Sequence, residues 1–226
     1  MEEHELQQLA EIIAQRIHIQ AASVRGTRRQ RKPQQLPAYL SEEEIARLLR
    51  VISDVRDHAI FAVAYYRGLR ASELGMINVA DYDAVSSRLT IRRLKGSRGG
   101  EYHLTHAERS ALNTWLQKRG IQPGPLFLSR SGRGISRSRL HRLMRNYCVL
   151  AGIDLAKAHM HALKHSCATH LSAVEGDIVA IQDHLGHANI QNTMKYVQIS
   201  SRRRRDFADR LAQQGWGAKQ PEIRIQ

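Results

Sequence analysis

Five short stretches carry the residues best suited to chemistry, and they occur in a fixed order. Gly68-Leu69-Arg70-Ala71-Ser72-Glu73-Leu74 stops one helix at a glycine and presents Arg70 where the next begins. A helix start is a natural phosphate site, and an arginine fork grips phosphate oxygens in pairs. Lys95-Gly96-Ser97-Arg98 sits at the tip of a hairpin. His161-Ala162-Leu163-Lys164-His165 places positions 161, 164 and 165 on one helical face. Asp183-His184-Leu185-Gly186-His187 is a helix end with a glycine stop and a histidine just beyond, and Tyr196 follows.

Each stretch alone has a plainer reading. Arg70 would be a surface arginine at a routine turn, Lys95 a solvated turn lysine, and the imidazole pairs structural. A metal site is the competing chemistry, because His161 and His165, or His184 and His187, have spacings that zinc ligands on a helix adopt. No Glu follows His161 and no carboxylate motif completes a hydrolytic site, so neither a metal nor another cofactor is expected.

These residues need a frame, and the sequence predicts one that is mainly α with a small antiparallel β-sheet. Ser41 and Glu44 make a capping box that starts a helix running to about Arg50, followed by another from Asp54 to Arg67. Residues 88–94 and 101–105 read as two strands around the Gly99-Gly100 turn, with Leu89 and Ile91 alternating with polar neighbours. Thr105 and Glu108 repeat the capping box for a helix that stops at Gly120. Further helices are expected at about 136–151, 161–175, 178–185 and 189–200. Cys148 and Cys167 lie in apolar helical stretches and read as reduced core residues.

The chain divides by composition. Residues 1–19 hold a short amphipathic helix, with Leu6, Leu9, Ala10, Ile13 and Ile17 on one face. Residues 20–37 form a basic linker or arm: Arg25, Arg28, Arg29, Arg31 and Lys32 cluster without an acid, and an arm lying on DNA phosphates is expected. Residues 38–200 are the compact domain and 201–226 a C-terminal tail. The whole chain carries 35 Lys and Arg against 21 acids, a formal net charge of +14 over 226 residues. That surplus favours a polyanionic partner, because each neutralised phosphate releases counterions. With no long apolar run and an acidic opening Met1-Glu2-Glu3, neither a membrane span nor a signal peptide is expected, and the location is cytoplasmic.

Taken in order, the five motifs resemble the tyrosine recombinase (phage integrase) family. In that family an Arg, a hairpin Lys, a His-x-x-Arg, a His and a Tyr form one active site. The resemblance covers roughly residues 38–200 and implies the catalytic set Arg70, Lys95, His161, Lys164, His187 and Tyr196. It implies a site-specific recombinase that cuts and rejoins double-stranded DNA by integration, excision or inversion, through a 3′-phosphotyrosyl link. Bond energy is conserved for rejoining, so no cofactor is implied. A phenol with a pKa of about 10 is mostly protonated at neutral pH, so Tyr196 needs a base and a cationic surround. The implied roles are His161 as the orienting or accepting group, Arg70 and Lys164 as charge neutralisers, His187 as a phosphate donor, and Lys95 as the acid for the leaving oxygen.

The partners implied are duplex DNA and a homo-tetramer on paired sites, with the tail 201–226 exchanged between protomers and a second recombinase or accessory protein assisting. Three features depart from the family pattern. Lys164 stands where an arginine is usual, Val197-Gln198 replaces the frequent Thr-His, and residues 1–37 are too few for the N-terminal DNA-clamping domain. Those departures keep a second reading open, a DNA-binding regulator with the same fold and weak catalysis. A basic RNA-binding structural protein accounts for the charge but not for the motif order.

Overall fold

The computed structural model describes residues 37–94, 97–174 and 177–196, all within the unit Leu36–Gln226. The expected helix at 2–17, the basic residues 25–32, Lys95 with Gly96, and the tail 201–226 lie outside the described residues.

The interior is organised around a helix that has no polar face to offer water. Alongside α1 (Glu42–Val51), α2 (Val55–Tyr66) buries Ala59, Ile60, Phe61, Ala62, Val63 and Ala64, residues on every side of its axis. The segment between is α3 (Ala71–Leu74), which leads into a three-stranded sheet of β1 (Tyr82–Asp83), β2 (Arg88–Ile91) and β3 (Gly100–His103). Two longer helices follow, α4 (His106–Arg119) and α5 (Arg137–Leu150), then α6 (Met160–Val174), α7 (Ile178–His184) and α8 (Gln191–Met194). Both α4 and α6 pack against α2, where its alanines permit close approach. Among the described residues no helix is long and apolar enough to cross a membrane.

Local rules account for most element starts. At α1, Ser41 Oγ accepts from Glu44 N at 3.2 Å while Glu44 Oε2 accepts from Ser41 N at 2.8 Å. The same reciprocal pair, Thr105 with Glu108, opens α4, and Ser136 caps α5. On α5 the stripe Leu140, Leu143, Met144 and Cys148 turns inward, which leaves Arg137, His141, Arg142 and Arg145 exposed.

The sheet is antiparallel in the order β1-β2-β3, with Tyr82 opposite Leu89, Leu89 opposite Tyr102 and Ile91 opposite Gly100. It has three strands where the sequence pattern predicts two, because β1 is two residues long and too short to show alternation. Strand β2 ends at Ile91 and not at 94; beyond it Arg93 turns fully inward. Within the described residues the last helix covers only Gln191–Met194, and Tyr196 sits in the turn that follows.

One buried ion pair joins the two halves of this frame. Arg67, at the end of α2, donates from Nε and Nη2 to the two Glu108 carboxylate oxygens, both at 2.8 Å, with the glutamate fully buried. Glu108 also accepts from Thr105 N and Oγ1, so the carboxylate is saturated. Glu108→Ala leaves a buried guanidinium without its partner and should lower unfolding free energy by about 3–5 kcal/mol. Urea denaturation of the two proteins measures it; a loss under ~0.5 kcal/mol, the range of ordinary surface substitutions, would show that the pair does not hold the frame.

Candidate active site

The site is built on two loops, 67–70 and 184–187, and on three side chains that bind them together. Gly68 takes φ +54° to end α2, and a Cβ there would lie 2.6 Å from Leu185 Cδ2, so the two loops touch at a position only glycine fits. Arg70 then caps α3. Its backbone N–H and its Nη1 each donate at 2.8 Å to the Glu73 carboxylate, which is wholly buried. This fixes the guanidinium while leaving 29% of the side chain exposed. Arg70 Nη1 also donates to Ser97 Oγ at 2.6 Å.

Ser97 in turn lies against the second loop, paired by an isolated β-bridge with His187, and Arg98 N donates to Gly186 O at 3.0 Å. His187 is 5% exposed, with Nδ1 2.9 Å from Thr193 Oγ1 on α8. Lys164, on α6, reaches between the loops: its Nζ donates to Gly68 O at 2.8 Å and to Leu185 O at 3.0 Å. An ammonium has three N–H bonds, so one remains for a ligand. Arg70, Lys164 and His187 are thus brought together, whereas Lys95 lies outside the described residues.

Tyr196 reaches the site by a different route. The residue is 2% exposed and packs with Cys167, Ala168, Ile181 and Leu185. Its hydroxyl bonds His165 Nδ1 at 2.5 Å, and Ser172 Oγ donates to its carbonyl at 2.8 Å. His161, one turn upstream on α6, is exposed, with its ring 6.0 Å from that of His165. The imidazole on the Tyr196 hydroxyl is therefore His165, a residue inside the quoted motif to which sequence reasoning gave no role. Glu73 and Arg93 went unassigned in the same way. A Glu three residues after Arg70, at the spacing of a capping box, is the signal that points to Glu73.

Electrostatics follow from this crowding of cations. Burial first, then Arg93 and Arg70, bring Lys164 down to about 7. Burial, then Lys164 and Lys195, bring His187 down to about 3. His165 falls to about 4 through burial and then Lys195, so at neutral pH an uncharged imidazole shares the hydrogen bond with the tyrosine hydroxyl. Burial pushes the Tyr196 phenol up to about 12. Among the described residues no group of three or more His, Cys, Asp or Glu side chains is placed to hold a metal ion. His184 is committed elsewhere, with Nε2 2.8 Å from Tyr66 O.

One open groove borders the site and a second lies further along α5. One, of about 810 Å³, is lined by Ala71, His159 and His161 on one wall and by Arg137, Ser138, His141 and Arg142 of α5 on the other. The second, of about 630 Å³, shares Arg142 and adds Arg56, Lys118, Arg130 and Arg139. Together they form a basic track along the start of α5, suited to a polyanion.

Comparison with known proteins identifies the family and the fold. Residues 38–203 match the phage integrase family. The chain is 32% identical over 174 residues to the type 1 fimbriae regulatory protein FimE of Escherichia coli K12, covering 73% of this chain and 87% of that one. It is 35% identical over 174 residues to the tyrosine recombinase XerC of Chromobacterium violaceum, covering 73% of this chain and 56% of that one. The crystal structure of XerA recombinase superposes with a TM-score of 0.67 at 30% identity, over 80% of this chain and 66% of that one. A XerH site-specific recombinase bound to its difH substrate has the same fold, with a TM-score of 0.66 at 24% identity over 77% of this chain and 54% of that one. The chain belongs to the phage integrase family and is a tyrosine recombinase.

Proposed function

We propose that this tyrosine recombinase cuts and rejoins duplex DNA at a specific site through a 3′-phosphotyrosyl intermediate. The observation that carries the reading is the convergence of Arg70, Lys164 and His187 on two touching loops, with Tyr196 tied to the second loop through α8 and Thr193. In this reading Tyr196 Oη attacks phosphorus, its proton passes to a neighbouring imidazole, and the bond to the 5′ oxygen breaks. Lys95 supplies the proton to that oxygen. Arg70 and His187 donate to the non-bridging oxygens, and Lys164 adds charge from below. His161, on the groove wall, and His165, on the hydroxyl, are the two imidazoles within reach of the proton's route.

The duplex lies along the basic track beside α5, and Arg25, Arg28, Arg29, Arg31 and Lys32 follow its phosphates. Work on paired sites calls for four protomers with the tail 201–226 exchanged between them, in the cytoplasm where the DNA is. The similarity to XerC supports recombination, and the XerH complex supports duplex DNA as the substrate of such a fold. A duplex recovered by binding selection from a randomised pool, then nicked beside the cleavage position, traps the covalent adduct. Tyr196→Phe should bind this DNA as the wild type does and form no adduct. An adduct in that variant would move the nucleophile elsewhere, and no adduct from the wild type would leave a DNA-binding regulator.

Lys164 offers a second test with a defined pH sign. Its ammonium, lowered to about 7, is lost as pH rises through that value, whereas an arginine stays charged. The ratio of Lys164→Arg to wild-type cleavage should therefore rise between pH 6 and 8.5. Lys164→Ala should cost about a hundredfold in rate at pH 6, the scale of one lost transition-state donor. A ratio that stays flat across this range would show that the lysine charge takes no part in cleavage.

A further inference from the structure

The side chain of Arg93 has an exposure of 0%, and none of the roles above uses it. It leaves β2 and runs beneath both loops of the site. From there Nη2 donates to Arg67 O at 3.0 Å and to His184 O at 2.9 Å, Nη1 reaches Gly68 O at 3.4 Å, and Nη1 lies 3.5 Å from the Glu73 carboxylate. Its guanidinium stands 5.7 Å from the Tyr102 ring centre, and its Nε has no hydrogen-bond acceptor. Gly186 takes φ +62°, and a Cβ there would fall on Arg93 Cδ and Nε. The glycine before His187 is thus the space through which the arginine passes.

A buried arginine is costly unless its charge is matched. Here a single shared carboxylate and backbone carbonyls from two loops match it. The carbonyls belong to the loop that carries Arg70 and the loop that carries His187, and the carboxylate is the one that orients Arg70. We propose that Arg93 is a positioning residue of the active site, holding the loops that present Arg70 and His187 in register for a single phosphate. It also contributes charge, being the largest charged influence on Lys164, which is further surrounded by Arg70, Glu73, Cys167 and the imidazoles of His161, His165, His184 and His187. The proposal rests on the assignment of Arg70 and His187 as phosphate donors.

The test uses the full chain and the selected nicked duplex, with DNA binding and single-turnover cleavage measured separately. Arg93→Met should bind within about threefold of wild type and cleave about a hundredfold more slowly, the scale expected when a reacting geometry slips by an ångström. Combined with Arg70→Lys, its effect should be less than additive, because both act on the same contact. The pH above which Lys164→Arg gains over wild type should move upward in the Arg93→Met background, since a neighbouring positive charge has gone. Additive losses with an unmoved pH dependence would make Arg93 a purely structural residue and overturn the proposal. If Arg93→Met fails to fold, Arg93→Lys decides: binding intact with cleavage slowed about tenfold supports positioning, and wild-type cleavage refutes it. Should Arg70→Ala cleave normally, the assignment of the phosphate donors fails, whereas a dead Arg70→Ala beside a fully active Arg93→Met sinks this proposal alone.

Discussion

A carboxylate sealed from water has only protein groups to satisfy it, and the whole site is arranged around one such group. Glu73 is fully buried and takes the backbone N–H and guanidinium of Arg70 together with the guanidinium of Arg93. Removing the carboxylate would leave the buried Arg93 guanidinium without a counter-charge in a low-dielectric setting, so the arrangement has little freedom to drift. Because Arg93 also holds carbonyls at 67, 68 and 184, the constraint extends from one carboxylate to both loops.

The same carboxylate is outnumbered. Arg70, Arg93 and Lys164 share it, and the imbalance shows in the lysine, whose charge is held partly by the carbonyls of Gly68 and Leu185. An excess of fixed positive charge in a closed corner is unfavourable in the empty protein and favourable once a dianionic transition state enters, which is how preorganised sites accelerate phosphoryl transfer. The hydroxyl of Ser97 accepts the second hydrogen bond of Arg70 Nη1, the first going to Glu73.

What was legible in the sequence is what is local. Capping boxes at Ser41 and Thr105 and glycine stops at 68 and 186 act within one or two turns, so their spacing alone reveals them. The order of the chemical motifs was readable for the same reason. The links between those motifs were not. His165 finds the Tyr196 hydroxyl 31 residues away, and Arg93 meets His184 O across 91 residues. Strand alternation assigns Arg93 a face but says nothing of the two loops that close over it. The strand β1 was missed because two residues carry no period, and α8 is shorter than its pattern suggests because a turn brings Tyr196 back onto α6.

That returning turn has a chemical consequence. Tyr196 is 2% exposed, and its hydroxyl is hydrogen-bonded to an uncharged imidazole and hard to ionise. Tyr196 sits in an apolar nest among Cys167, Ala168, Ile181 and Leu185, and such a setting disfavours the charged phenolate. The four-residue helix Gln191–Met194 leads into that nest, and Thr193 fastens it to His187. The packing that seats this turn therefore also keeps the phenol neutral at physiological pH, so that the oxygen it carries is a weak nucleophile there.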